Sequence, residues 1–378
     1  MSKMGRKAFF SCLVMAIFAV SANAQAQPDA IKITTKPETI YVESGTSQKF
    51  VNCDFQLANQ TSDKLKIESV QISVFDSKGS FVLRKVIDSH GVSPSINTVP
   101  KIEVGPNETL NLFNPFYSFE GGMELSRLDF DFGLSNEKGD RSYHQKITLK
   151  PIEYHTKTAF ILPIKGRIVV EYGHDFYSPH RRIDLTNEIV RQVGLVANSA
   201  RYANDLSIID KDGNLYKGGR NQLESWFAYG APLFAPGSGT VVTLVDGIPD
   251  NHFEKDGGVA YAKEVTREKA SGLLGNYIVI DHGNGEFSLF AHLKKGSFKV
   301  KQGSHVKQGQ SLAAIGFSGD ADFVHTHYQL QNNADPATAE GLPIYFHNFW
   351  KIVGGKRSGV LMGAIDTGDV VMPADRKK

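Results

Sequence analysis

The sequence predicts an all-β protein built from two β-rich domains, and three observations carry that expectation. Thirty-six glycines punctuate the chain, and they separate many short runs rich in Val, Ile and Phe, as frequent turns between strands require. Leu128, Phe130, Phe132 and Leu134 alternate with Asp129, Asp131 and Gly133, the period-two pattern of a strand with one buried and one wet face. The best short helical pattern is confined to residues 185–200, LTNEIVRQVGLVANSA.

In chain order, the first element is a leader. Lys3, Arg6 and Lys7 precede an apolar stretch from Ala8 to Val20, and Ala22-Asn23-Ala24 offers small residues at a cleavage site after Ala24, with Ala26 as the second choice. This is the three-part pattern of an export signal over residues 1–24. The apolar run is shorter than the roughly 20 residues of a membrane span, and no other stretch is long and apolar enough for one. Cys12 within the run follows Phe-Phe-Ser, a poor lipidation context. Loss of Lys3, Arg6 and Lys7 with the leader takes the formal charge from +2 to −1. A near-neutral exported chain gives no electrostatic reason to expect nucleic acid. Cys53 is then the remaining cysteine, in the strand-like FVNCDFQL, where a buried inert thiol is expected.

At 378 residues the chain exceeds one typical core. Residues 28–152 read as strand after strand. KIESVQISVF, the turn Asp76-Ser77-Lys78-Gly79 and FVLRKVI read as a hairpin, and Asn136 to Asp140 form another turn before HQKITLKP. About seven such runs suit an immunoglobulin-like β-sandwich. No chemistry is visible there, since His90, His144 and His155 are scattered. The boundary is expected between Pro151 and Thr158, with a second domain over 158–378. Strands are read in PLFAPGSGTVVTLV, NYIVIDHG, EFSLFAHL, SLAAIGFSG and THYQL, with a closing loop and strand from GLPIYFHNFW to GAIDTGDVV.

The second domain holds residues of metal-ligand type. In Val324-His325-Thr326-His327-Tyr328, alternation along a strand places His325 and His327 on one face, although two surface histidines would show the same spacing. His292 ends another strand-like run. His180 precedes Asp184 by four residues, and Asp205 follows in Arg201-Tyr202-Ala203-Asn204-Asp205. Zinc accepts imidazole nitrogen and carboxylate oxygen, and a catalytic zinc keeps three protein ligands and an open position. Either aspartate is equally compatible with a salt bridge to a neighbouring arginine.

Taken together, APLFAPGSGTVV, GNYIVIDHGNGEFSLFAHL, VKQGSHVKQGQSL, GFSGDADFVHTHYQL and GLPIYFHNF resemble, in order, the lysostaphin (LytM) type of metallopeptidase, family twenty-three. The resemblance covers residues 160 to 370. It implies antiparallel sheets with zinc in a groove, one Zn(2+) per chain, and hydrolysis of peptide bonds in peptidoglycan stem or cross-bridge peptides. It makes His180 and His327 zinc ligands and His292 and His325 the catalytic pair. The third ligand is Asp184 if the compact four-residue spacing applies. It is Asp205 if SARYANDL corresponds to the delayed motif of another branch, which the following DKDG turn and FAYGAPLFAPGSG favour; His174 is a fallback for the first ligand. Val324, Thr326 and Tyr328 depart from the usual residues around the His-x-His pair, and these changes affect packing more than ligation. The resemblance also implies a periplasmic or extracellular location, and an N-terminal domain that positions the enzyme or contacts other envelope proteins. The rival class is a non-catalytic module of the same fold that activates other wall hydrolases; retention of all five site residues argues against it.

Overall fold

The computed structural model describes residues 30–45, 47–266 and 268–374. The leader read over residues 1–24 and its Cys12 lie outside them. Strand makes up 42% of the structure and helix 5%, so the all-β expectation holds. Among the described residues no helix is long and apolar enough to cross a membrane.

Between Ile31 and Glu153 the described residues form three sheets of three, five and four strands. The alternating run lies in Arg127–Asn136, with Leu128, Phe130, Phe132 and Leu134 buried. This strand is flanked in antiparallel fashion by Leu65–Phe75 and Ser142–Leu149. Leu65–Phe75 turns back into Phe81–Asp88, where Asp76 Oδ1 accepts from the Ser80 amide at 2.7 Å and Gly79 takes φ 79°. Such a φ suits glycine, which has no Cβ to clash. The three-stranded sheet faces this one through Phe55, whose ring centroid lies 4.7 Å from Phe130 and 5.0 Å from Phe132. Cys53 is fully buried beside them, and burial together with the Asp54 carboxylate pushes its thiol up to about 12. A protonated, inaccessible thiol is unreactive.

From Ile168 to Pro373 a ten-stranded sheet dominates the described residues. Its middle runs in the order Asn276–Asp281, Phe287–Leu293, Thr326–Gln331, Asn204–Ile208 and Ile168–Tyr172, all antiparallel. A second apolar core, with Phe160, Phe290, Tyr328 and Phe346, packs against it. The helical pattern over 185–200 condenses to Glu188–Gln192, capped by the Asn187 side chain and ended where Gly194 takes φ 83°. A helix this short stands on its neighbours and not on its own propensity. The closing segment contributes three strands, Phe346–Val353, Lys356–Gly363 and Val370–Pro373, at one edge of the sheet.

Candidate metal centre

Three neighbouring strands assemble the site, and their register decides which side chains meet. Asp205 on Asn204–Ile208 stands directly opposite His327 on Thr326–Gln331, and His327 stands opposite Ala291 on Phe287–Leu293. Directly paired residues share a face, so Asp205 and His327 point together. His325, two residues before His327, points the same way. Alternation alone would send His292 to the other face, because Ala291 already occupies this one. A bulge reverses it: Ala291 and His292 together oppose the single residue Tyr277, and His292 takes φ 62°. An extra residue on one strand re-aims the side chains around it, and the His292 ring then lies 4.8 Å from His325 and 6.1 Å from His327, centroid to centroid. A left-handed φ is uncommon outside glycine, although His adopts it more readily than most side chains. Here it is held by the His292 amide donating to the Leu274 carbonyl and by the Gly316 amide donating to the His292 carbonyl, both at 3.0 Å.

His180 reaches the same point from a loop. Its Nε2 lies 3.4 Å from Asp205 Oδ2, and His327 Nδ1 lies 3.0 Å from Asp205 Oδ1. Among the described residues, His180, Asp205 and His327 form the one group of metal-type donors, with ligand atoms all within 4.8 Å of one another. Asp184 is not part of it; its Oδ1 accepts from the Thr186 amide and hydroxyl at 2.8 and 2.7 Å. His174 is elsewhere too, with Nε2 2.9 Å from Glu43 Oε1. His90 and His144 are exposed and sit beside Asp88 and Asp131.

The hydrogen bonds around the imidazoles test whether a cation fits. His180 Nδ1 faces the Gly173 carbonyl at 2.9 Å, His325 Nδ1 the Phe323 carbonyl at 2.9 Å and His292 Nδ1 the Ser318 carbonyl at 2.8 Å. A carbonyl only accepts, so each Nδ1 carries the proton and each Nε2 lone pair is turned inward. His327 is fixed in the opposite sense. The Asn333 carbonyl accepts from Gln331 Nε2 at 2.7 Å, Gln331 Oε1 accepts from Gln329 Nε2, and Gln329 Oε1 accepts from His327 Nε2 at 2.7 Å. Because the chain of amides ends on a carbonyl, His327 must donate from Nε2 and offer the Nδ1 lone pair. With both imidazoles neutral, two lone pairs face one carboxylate. That donor set suits zinc.

The charge balance favours a proton on His180 beside the Asp205 carboxylate, and a bound cation would take the place of that proton. Burial works against the Asp205 carboxylate, but His180 and His325 outweigh it and hold the group well below the usual carboxylate range. Burial also disfavours the charged form of His180, and Asp205 overrides it and raises that imidazole. Burial, with His325 and His327 nearby, drives His292 well below its ordinary value, which keeps it neutral.

Gln329, the Ser318 carbonyl and the Gly173 carbonyl escaped the reading of the sequence. Gln329 had a visible signal, since it follows His327 by two residues on one strand face. The Ser318 carbonyl belongs to the Gly-Phe-Ser-Gly turn. Its approach requires Gly275, where an added Cβ would lie 2.5 Å from the Gly319 nitrogen.

The fold therefore presents two imidazoles and one carboxylate to a single point on a β-sheet, the donor set of a metal site. Residues 254–339 match the model of peptidase family M23. The matched stretch contains His292, His325 and His327, while His180 and Asp205 precede it. The chain is 38% identical over 65 residues to the peptidoglycan DD-endopeptidase ShyA of Vibrio cholerae serotype O1, covering 17% of this chain and 15% of ShyA. It is 36% identical over 69 residues to ShyC of the same organism, also a peptidoglycan DD-endopeptidase, covering 18% of this chain and 16% of ShyC. The similarity therefore spans less than a fifth of either relative. Among solved structures, the catalytic domain of lysostaphin from Staphylococcus simulans aligns with 33% of this chain and 81% of its own, at 22% identity and a TM-score of 0.21.

His174 supplies a pH-dependent tie between the two cores. Burial opposes its charged form, but Glu43 and Asp366 outweigh burial and push it up to about 10. A raised value stabilises the fold fully below pH 6.5, its ordinary value, and the contribution is lost as pH rises through about 10. The slope is about 1.4 kcal/mol per pH unit for one proton. Urea midpoints of the parent protein should fall over that window more steeply than those of His174→Gln; parallel curves would dismiss the tie.

Proposed function

We propose that the chain is an exported zinc metalloendopeptidase that hydrolyses peptide bonds in the stem or cross-bridge peptides of peptidoglycan. One zinc ion is held by His180, Asp205 and His327, and His292 and His325 manage the protons. The observation that carries this reading is the convergence of the three donors within 4.8 Å, with two further imidazoles on the same face. Zinc in such a site lowers the pKa of a water molecule and polarises a carbonyl. Neutral His292, anchored through Nδ1, accepts a proton from the attacking water at Nε2. His325, stacked on Phe323 with ring centroids 4.2 Å apart, steadies the developing oxyanion when its Nε2 carries a proton. ShyA and ShyC are peptidoglycan DD-endopeptidases, and this likeness supports a bond within wall peptides, at a D-amino acid, as the target. The leader pattern over residues 1–24 supports export, and a mature N-terminus at Gln25 is the expected product.

The test is release of soluble peptides from purified sacculi by the zinc-loaded mature protein acting alone. Chelation should abolish release and added zinc should restore it. If zinc-loaded protein releases nothing from several peptidoglycan types yet stimulates a separate amidase, the activating-module reading replaces this one.

A further inference from the structure

His180 is the one candidate ligand outside the sheet. Its loop, residues 173–187, holds no strand. Within the second core the loop is tied at its start, where the Gly173 amide donates to Thr367 Oγ1 at 2.9 Å and the His174 amide to Asp366 Oδ1 at 2.8 Å. His180 itself bonds through Nδ1 to the Gly173 carbonyl, through its amide to Ser178 Oγ at 3.2 Å and through its carbonyl to Asn198 Nδ2 at 2.9 Å. A metal ligand needs firmer support than that, because catalytic constellations tolerate about 0.5 Å of error. Further support comes from the strands before residue 153. Arg181, next to His180, donates from Nη1 to Asp54 Oδ1 at 2.6 Å and from Nη2 to the Cys53 carbonyl at 2.8 Å. Asp54 Oδ2 accepts from Arg201 Nη1 at 2.8 Å, and Arg201 stands four residues before Asp205. One carboxylate therefore bonds to both chain segments that deliver the first two ligands. Arg181 and Arg201 are 0% exposed and Asp54 is 1% exposed. On the loop's other side, Phe176 stacks on Tyr117 with centroids 4.6 Å apart, and the Arg182 guanidinium lies 4.6 Å from the Phe113 ring centre.

A contact that served adhesion alone would not need two arginines on one buried carboxylate. Taking three charges out of water is costly, and apolar side chains of similar volume adhere as well or better. What the ionic arrangement adds is direction, since a carboxylate with one cation on each oxygen fixes the separation of the two chains bearing them. We propose that the N-terminal β region is a structural half of the metal centre, and that Asp54 is a positioning residue acting through Arg181 on His180 and through Arg201 on Asp205. This rests on the reading of His180, Asp205 and His327 as zinc ligands.

The test uses the full mature chain and its Asp54→Asn variant. Zinc affinity, measured by competition with a chromophoric chelator, should fall about 10- to 100-fold, the usual loss when an outer partner of a ligand is removed. Circular dichroism should remain that of the parent. The visible spectrum of the cobalt-loaded variant should change, because it reports ligand geometry, which a distant charge alone does not alter. Asp63→Asn, which breaks the exposed pair with Arg141 at 2.9 Å, should leave zinc affinity unchanged. A folded Asp54→Asn protein with parental affinity and cobalt spectrum overturns the proposal. Should that variant not fold, hydrogen exchange on the parent protein decides, since coupling between two sites is reciprocal. Zinc should then slow exchange at residues 52–54 together with 174–182, and protection confined to the loop overturns the proposal. A parent protein that binds no zinc defeats the metal-site reading itself, which is a separate result.

Discussion

Asp205→Ala is expected to abolish stoichiometric zinc binding, and Asp184→Ala to leave it at one ion per chain. Asp205 is the only anion in the donor group, with oxygens 3.0 and 3.4 Å from His327 Nδ1 and His180 Nε2. Without it two neutral imidazoles remain, and the loss should exceed the roughly 100-fold upper range for outer partners. Asp184 instead closes its own turn through Thr186, so its removal should cost stability on the order of 1 kcal/mol and no metal. His327→Ala should follow Asp205→Ala. Metal analysis after dialysis, beside circular dichroism, gives the answer. The reverse pattern, zinc kept in Asp205→Ala and lost in Asp184→Ala, would move the site to the compact spacing of His180 and Asp184.

The second large effect is on turnover without loss of metal. His292 and His325 face the donor group but are not members of it, so replacing either should leave zinc bound. Peptide release from sacculi should fall by about 10²-fold or more, the usual scale for losing a positioned proton-transfer group. His292 has φ 62°, so His292→Asn is the better substitution there, because Asn tolerates that conformation more readily than Ala. A drop in activity with intact folding and full zinc separates chemistry from strain. Undiminished hydrolysis in both variants would remove the two histidines from the mechanism.

Much of the site was legible because sheets convert sequence spacing into direction. His325 and His327 needed only the period of two. Asp205 and His180 were recognisable as donors, but the choice between Asp205 and Asp184 was not open to spacing arguments. Four residues between His180 and Asp184 suit a shared face in a strand or a helix, and the loop is neither; its turn uses Asp184 locally. His292 illustrates the opposite limit. Its residue type was informative, while its direction depends on a bulge that arises from pairing with Tyr277, a residue 15 positions away.

The sequence by itself determined the β class, the turns at Gly79 and at Asn136 to Asp140, the buried thiol at Cys53 and the residues able to hold a metal. Each of these is local: a period of two, a glycine where φ is positive, an imidazole or carboxylate in the chain. Only the tertiary structure decided which donors meet, which nitrogen of each imidazole is free, and that Asp54 joins Arg181 to Arg201 across 127 and 147 residues. Those outcomes depend on strand register and on buried charges finding partners. Both are settled when distant segments pack, where a one-residue slip reverses a face and an unpaired buried charge is prohibitive.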